Sequence, residues 1–189
     1  MLRSLLIRAL ARYGYTIRRI DSTAEMDGTA RLVDERETEL LLRRLNIERA
    51  HYGCGTRMLA DGWLNADRLA PPGPAPENFV AIDLAAAHPF PSDWFAYAYA
   101  EDFLEHLSQA DSLIFLSETY RTLRKGGVLR LSFPGFEGVL ERHFRTADFD
   151  GAAQGKMHAY TMWDHLHFYS RAEIATAAER IGFSAVQFV

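Results

Sequence analysis

After residue 46 the chain reads as short apolar runs alternating with amphipathic stretches, and this alternation constrains its fold more than any other feature. Candidate strands are Glu48–Tyr52, Trp63–Ala66, Phe79–Ile82, Trp94–Tyr99, Val128–Phe133 and Phe183–Val189, each containing at least one aromatic or β-branched residue. Between the later ones, helical spacing marks roughly Asp102–Leu107, Ala110–Leu123, Phe136–Phe144 and Arg171–Ile181. Strands that alternate with helices build a parallel α/β sheet. Gly126-Gly127 behind Lys125, and Gly182 behind Ile181, are expected to stop two of these helices. Residues 71–76, Pro-Pro-Gly-Pro-Ala-Pro, form a stiff loop.

The alternation does not reach back before residue 46. Leu2, Leu6, Leu10, Tyr13, Ile17 and Ile20 share one side of a helical wheel, with Arg8, Arg12 and Arg19 opposite. A helix of this kind either docks on its own domain or lies on an anionic membrane surface. Residues 21–32 read as a linker. A second helix is expected over Asp34–Leu45, with its acids in the first half and Arg43 and Arg44 in its last turn, as the helix dipole favours. The chain therefore divides into an N-terminal helical extension, residues 1–45, and a sheet domain, residues 46–189.

Composition removes several function classes. Residues 1–20 carry five arginines and no acid, which leaves 16 basic against 25 acidic residues in the remainder, a poor electrostatic match to nucleic acid. The lone Cys54 rules out a disulfide framework and any zinc site built on several thiolates, and it fits a reducing, cytoplasmic setting. No apolar run approaches the ~20 residues that span a bilayer, and Arg8 interrupts the only stretch resembling a secretory signal. The membrane contact expected of residues 1–20 is thus peripheral, on the inner face.

In an open parallel sheet, ligands bind outside the carboxyl ends of the strands. The first strand here ends in Tyr52-Gly53-Cys54-Gly55, where two glycines allow positive φ and close approach to the main chain. The second ends at Asp67 and the third at Asp83. A carboxylate at the end of the second strand can accept both hydroxyls of a ribose, and one at the end of the third can accept an adenine amino group. A nicotinamide fingerprint is incomplete, since Met58 stands where its third glycine belongs.

Gly53-Cys54-Gly55, then Asp61-Gly62-Trp63-Leu64-Asn65-Ala66-Asp67, Asp83-Leu84 with Pro89-Phe90, Glu101-Asp102-Phe103-Leu104-Glu105-His106-Leu107, and Leu123-Arg124-Lys125-Gly126-Gly127-Val128-Leu129 with Pro134 together resemble a small class I S-adenosylmethionine-dependent methyltransferase of the type 11-like branch. Asp164-His165-Leu166-His167-Phe168-Tyr169-Ser170, followed by a helix and Gly182-Phe183, is similar to the carboxyl-terminal part of that superfamily. The resemblance spans residues 46–189 and implies a three-layer Rossmann-like α/β sheet. It implies that Tyr52, Gly53 and Gly55 line the methionine part of S-adenosylmethionine, that Asp67 binds its ribose, that Asp83 and the Leu84 amide bind its adenine, and that Glu101 sits near the methyl group. His106, His165 and His167 are the candidate bases, because imidazole titrates near neutrality.

The arginine-rich start, with Tyr13-Gly14-Tyr15, resembles the starts of some polysaccharide-modifying enzymes, which makes a saccharide or small-molecule hydroxyl the expected acceptor. The alternative is a non-catalytic binding or scaffold protein on the same fold, because His51 stands where the superfamily has an acid. Only seven residues separate Gly55 from Trp63, so the usual first helix is expected to shrink to a turn. The domain is also short by about one final strand, so either Phe183–Val189 takes the last position of the sheet or a second copy of the chain covers an open edge. His165 and His167, two apart on an extended segment, are expected to point the same way. Without a second pair at fixed spacing and with aromatics around them, no metal site is assigned. The tryptophans and Cys54 are expected to fill the core.

Overall fold

A computed structural model describes residues 34–144, 149–161 and 163–189. The amphipathic segment Leu2–Ile20 and the linker 21–32 lie outside them. In order, the elements are α1 (Glu35–Arg44), β1 (Arg49–Tyr52), β2 (Trp63–Asp67), β3 (Phe79–Ala81), β4 (Phe95–Glu101), a single 3-10 turn (Leu104–His106), α2 (Gln109–Thr122), β5 (Leu123–Ser132), α3 (Phe136–Phe144), α4 (Phe149–Thr161) and α5 (Arg171–Ile181).

The strands form one parallel sheet in the order β3-β2-β1-β4-β5, flanked by helices, which is the Rossmann-like architecture the sequence implies. The chain leaves β1 toward β2 and β3, then returns to the other side of β1 for β4 and β5. The order thus reverses between β1 and β4, and that is where a parallel sheet opens a crevice at its carboxyl edge. Ala50, Tyr52, Leu64, Ala66, Ala98 and Ala100 from the three central strands are buried, together with Phe95, Phe115 and Leu116.

Helix α1 begins where the sequence predicts, with Asp34 Oδ1 accepting the Glu37 amide at 2.8 Å. It is part of the sheet domain: Leu42 is fully buried in the common core, and the Thr38 hydroxyl donates to the Pro89 carbonyl. Helices α3 and α5 have the predicted bounds. Ser170 caps α5 by accepting the Glu173 amide at 3.1 Å, and Gly182, at φ 130°, ends it against the Tyr120 ring.

Four expectations are corrected. The helix expected over Asp102–Leu107 is one 3-10 turn, because Asp102 adopts φ 47° and donates its amide to Ser132 at 2.8 Å, fixing it to the end of β5. Gly126 and Gly127 do not stop a helix. Helix α2 ends at Thr122 and the glycines lie within β5, at an irregularity in its pairing with β4. Residues 183–189 form no strand. Together with β5 they bound a cleft of about 840 Å³. Finally, Trp163 is 59% exposed rather than packed in the core.

Helix α4 escapes the sequence reading because Gly151 and Gly155 break its periodicity. The connection from Gly55 to Trp63 contains no helix, as its length predicts. Fully buried Asn65 holds it instead, accepting the Leu59 amide and donating to the Leu59 carbonyl, both at 2.9 Å. Asn78 donates to the same carbonyl at 3.0 Å. These bonds satisfy a backbone that a helix would otherwise satisfy internally. Among the described residues no helix is long and apolar enough to cross a membrane.

Candidate active site

The turn after β1 is shaped by two residues with positive φ, Gly53 at 62° and Gly55 at 51°. Their reasons differ. A Cβ on Gly53 would stand 2.4 Å from the Phe103 ring, whereas one on Gly55 would meet nothing within 4 Å. Gly53 therefore gives the β4 exit room to pass, and Gly55 leaves open space at the mouth. The turn hooks onto β2 through the Gly53 amide, which donates to the Ala66 carbonyl at 2.9 Å. Asp67 closes it, with Oδ2 accepting the Gly55 amide at 2.8 Å and Oδ1 the Leu69 amide at 3.2 Å. Asp83 forms a similar small turn by accepting the Ala85 amide at 2.9 Å, and Leu84 beside it is buried.

Between this turn and the end of β4 lies a cleft of about 280 Å³, at the point of strand-order reversal, lined by His51, Gly53, Cys54, Gly55, Thr56, Arg57, Glu101 and Asp102. The larger cleft beside β5 shares none of these residues, and Asp67 and Asp83 line neither cleft. Glu101 and Asp102 give the smaller one a negative rim. Arg57 offsets Glu101 weakly, across 3.4 Å between two exposed side chains. His51 stacks on Tyr99 with ring centroids 5.4 Å apart and approaches Asn65 Oδ1 at 3.3 Å. Burial holds its pKa below the ordinary histidine range, so it lines the cleft as a neutral group.

Tyr52 does not reach this cleft. Its ring is fully buried against His88, Phe90 and Phe115, so what the chain offers a ligand at position 52 is main chain. Cys54 is buried beside Met58, 3.8 Å from its sulfur, and desolvation pushes its thiol up to about 12, as suits a packing residue.

Beyond Asp102 the loop 163–169 folds back onto the 3-10 turn. The Leu166 and His167 amides donate to the Glu105 carbonyl at 2.7 and 3.3 Å. These two bonds bring His165 to His106, ring centroids 4.9 Å apart, and to Glu105. His167 turns elsewhere, with Nε2 3.0 Å from Glu173 Oε1. The two histidines that sequence spacing aligns thus serve different places, because the loop is not a regular strand. The residue the sequence reading missed is Glu105. Its side chain is 1% exposed and, among the described residues, neither carboxylate oxygen has a hydrogen-bond partner. Desolvation raises its pKa to about 7, with Asp102 adding to the shift.

No protein-family model matches the sequence, and no curated protein matches it. Solved structures do share its fold. A chain from the complex between the Trm112 methyltransferase activator of Haloferax volcanii and a protein assigned as a methyltransferase aligns at 18% identity, TM-score 0.50, over 77% of this chain and 66% of that one. A SAM-dependent methyltransferase from Archaeoglobus fulgidus aligns at 14% identity, TM-score 0.50, over 79% of this chain and 69% of that one. The chain thus has the fold of the class I methyltransferases and spans about two thirds of the length of these structures.

Proposed function

We propose that the protein is an S-adenosylmethionine-dependent methyltransferase whose acceptor is a hydroxyl of a small molecule or saccharide. The observation that carries this reading is the cleft at the strand-order reversal, with open main chain at Gly55 and two carboxylates, Glu101 and Asp102, at its rim. A carboxylate rim favours a ligand that carries a sulfonium and an ammonium. Asp67 retains acceptor capacity on both oxygens for a ribose after bonding two amides, and Asp83 with Leu84 would take the adenine.

S-adenosylmethionine supplies a methyl group already activated on sulfur. The chain's own task is to align the acceptor at about 3 Å and to exclude water. His106 and His165, whose rings meet beyond Asp102, are the candidate bases for a hydroxyl. His167, paired with Glu173, supports the loop that carries His165. Residues 1–20 would add peripheral membrane contact on the cytoplasmic side, and a second copy would cover β5.

Calorimetric titration with S-adenosylhomocysteine tests the reading. The wild-type chain should bind, and Asp67→Ala should bind at least about tenfold more weakly, as loss of charge-assisted hydrogen bonds implies. No heat with the wild type overturns it. The neutral His51 supports a second reading, a binding protein on the same fold, which gains if the homologue binds but no acceptor is methylated.

A further inference from the structure

We propose that Glu105, His106 and His165 bind one divalent first-row transition-metal ion, with Zn²⁺ the best match. One ligand atom from each lies within 4.8 Å of the other two. Around a tetrahedral ion with bonds of about 2.1 Å, ligand atoms stand about 3.4 Å apart. The group is therefore nearly closed, and small side-chain rotations complete it. His106 is exposed, so its ring has room to turn toward Glu105 and the more buried His165.

A second observation points to a cation. Glu105 is 1% exposed, yet among the described residues Oε1 and Oε2 have no hydrogen-bond partner, and the buried Nδ1 of His165 has none either. His165 Nε2 stands 4.0 Å from Glu105 Oε1, too far for a hydrogen bond; a buried carboxylate without a hydrogen bond is costly, and native structures normally satisfy such groups. An ion between these side chains would partner Glu105 and one ring nitrogen of each histidine. Two imidazoles and one carboxylate suit zinc and its neighbours better than magnesium or calcium, which prefer all-oxygen shells.

The backbone supports the assignment. Glu105 and His106 are adjacent in the 3-10 turn, and His165 is held to that turn by the two amide bonds onto the Glu105 carbonyl. Asp102, whose charge acts on both Glu105 and His165, also lines the cleft beside Gly55. Three protein ligands leave a position for water or an acceptor oxygen, the arrangement of catalytic rather than structural zinc sites. That role, though not the binding of the ion, rests on the methyltransferase reading, and with the ion bound the acceptor hydroxyl would be activated on the metal and not by a free His106 or His165 imidazole.

The test is equilibrium dialysis of the untagged full chain, stripped with EDTA, against ZnCl₂, CoCl₂ and MgCl₂ separately. Wild type should retain one Zn²⁺ per chain, and Co²⁺ should give a ligand-field absorption band. Glu105→Gln, His106→Ala and His165→Ala should each weaken Zn²⁺ binding at least tenfold. Because His106 is exposed, its variant should fold, and circular dichroism would verify this. Asp67→Ala should keep its zinc, so failure of the cofactor reading would not imitate failure of this one. Wild type that retains no zinc, retention of Mg²⁺ in preference to Zn²⁺, or unchanged affinity in His106→Ala/His165→Ala would each overturn the proposal.

Discussion

The glycine turn after β1 and the histidine cluster after β4 are joined through Asp102 at the same end of the sheet, but they are held in opposite ways. The turn is made of main chain. Gly53 and Gly55 supply positive φ, the Gly53 amide hooks onto β2, and Asp67 closes the loop by accepting the Gly55 amide. These contacts join two neighbouring strands and form as the sheet forms. The cluster is made of side chains, and His165 reaches it only because a distant loop donates two amides to the Glu105 carbonyl. A surface that admits a ligand to the backbone is written into a turn. A surface that needs imidazole and carboxylate groups to converge must be assembled by tertiary contact, and here it leaves a buried carboxylate without a hydrogen-bond partner.

Substitutions can break or sharpen this contrast. The largest expected effect lies in the turn. Gly53→Ala would force a Cβ to 2.4 Å from Phe103 at φ 62°, and the sum of left-handed strain and overpacking should cost about 3 kcal/mol in urea unfolding. A loss below about 1 kcal/mol would show that the β4 exit yields and that the turn is less rigid than described.

A comparable effect should come from outside both regions. His88 is 4% exposed, and burial lowers its pKa to about 4. The unfolded chain protonates it below about 6.5, so between pH 6.5 and 4 the unfolded state holds the extra proton and stability rises with pH. The His88 contribution is complete above pH 6.5, and roughly 3 kcal/mol of it is lost as pH falls to 4. The difference in unfolding free energy between wild type and His88→Gln should follow that slope. A flat difference would assign acid sensitivity to the clefts instead of the core.

Gly55→Ala should cost only about 1 kcal/mol, the strain of φ 51° without a clash. A cost equal to that of Gly53→Ala would remove the distinction drawn between the two glycines. The smallest effect belongs to the rim. Arg57→Ala breaks a 3.4 Å pair between exposed side chains and should change the unfolding free energy by less than about 0.5 kcal/mol, measured at low and high salt.

Much of the fold was legible in the chain, for reasons that differ by element. The α3 and α5 bounds follow from periodicity and end signals, Ser170 and Gly182 in particular. The five parallel strands follow from alternating apolar runs. The short helix after β4 was misread because Asp102 takes a left-handed conformation dictated by its bond to Ser132, a residue of another strand. Gly126-Gly127 was misread because a strand irregularity and a helix stop use the same residue type. The turn built by Gly53, Gly55 and Asp67 could be placed from strand-end logic. Glu105 could not, because an acid in a surface-like Leu-Glu-His-Leu segment gives no sign that it is buried.

By itself, the sequence determined that this protein is a parallel α/β sheet with a glycine turn and acids at successive strand ends, because strand period, turn chemistry and chain order are local properties. Tertiary structure decided which side chains meet. It withdrew Tyr52 into the core, separated His167 from His165, and set His165 against Glu105 and His106. Those outcomes depend on desolvation and on backbone bonds between distant segments, which no spacing along the chain encodes.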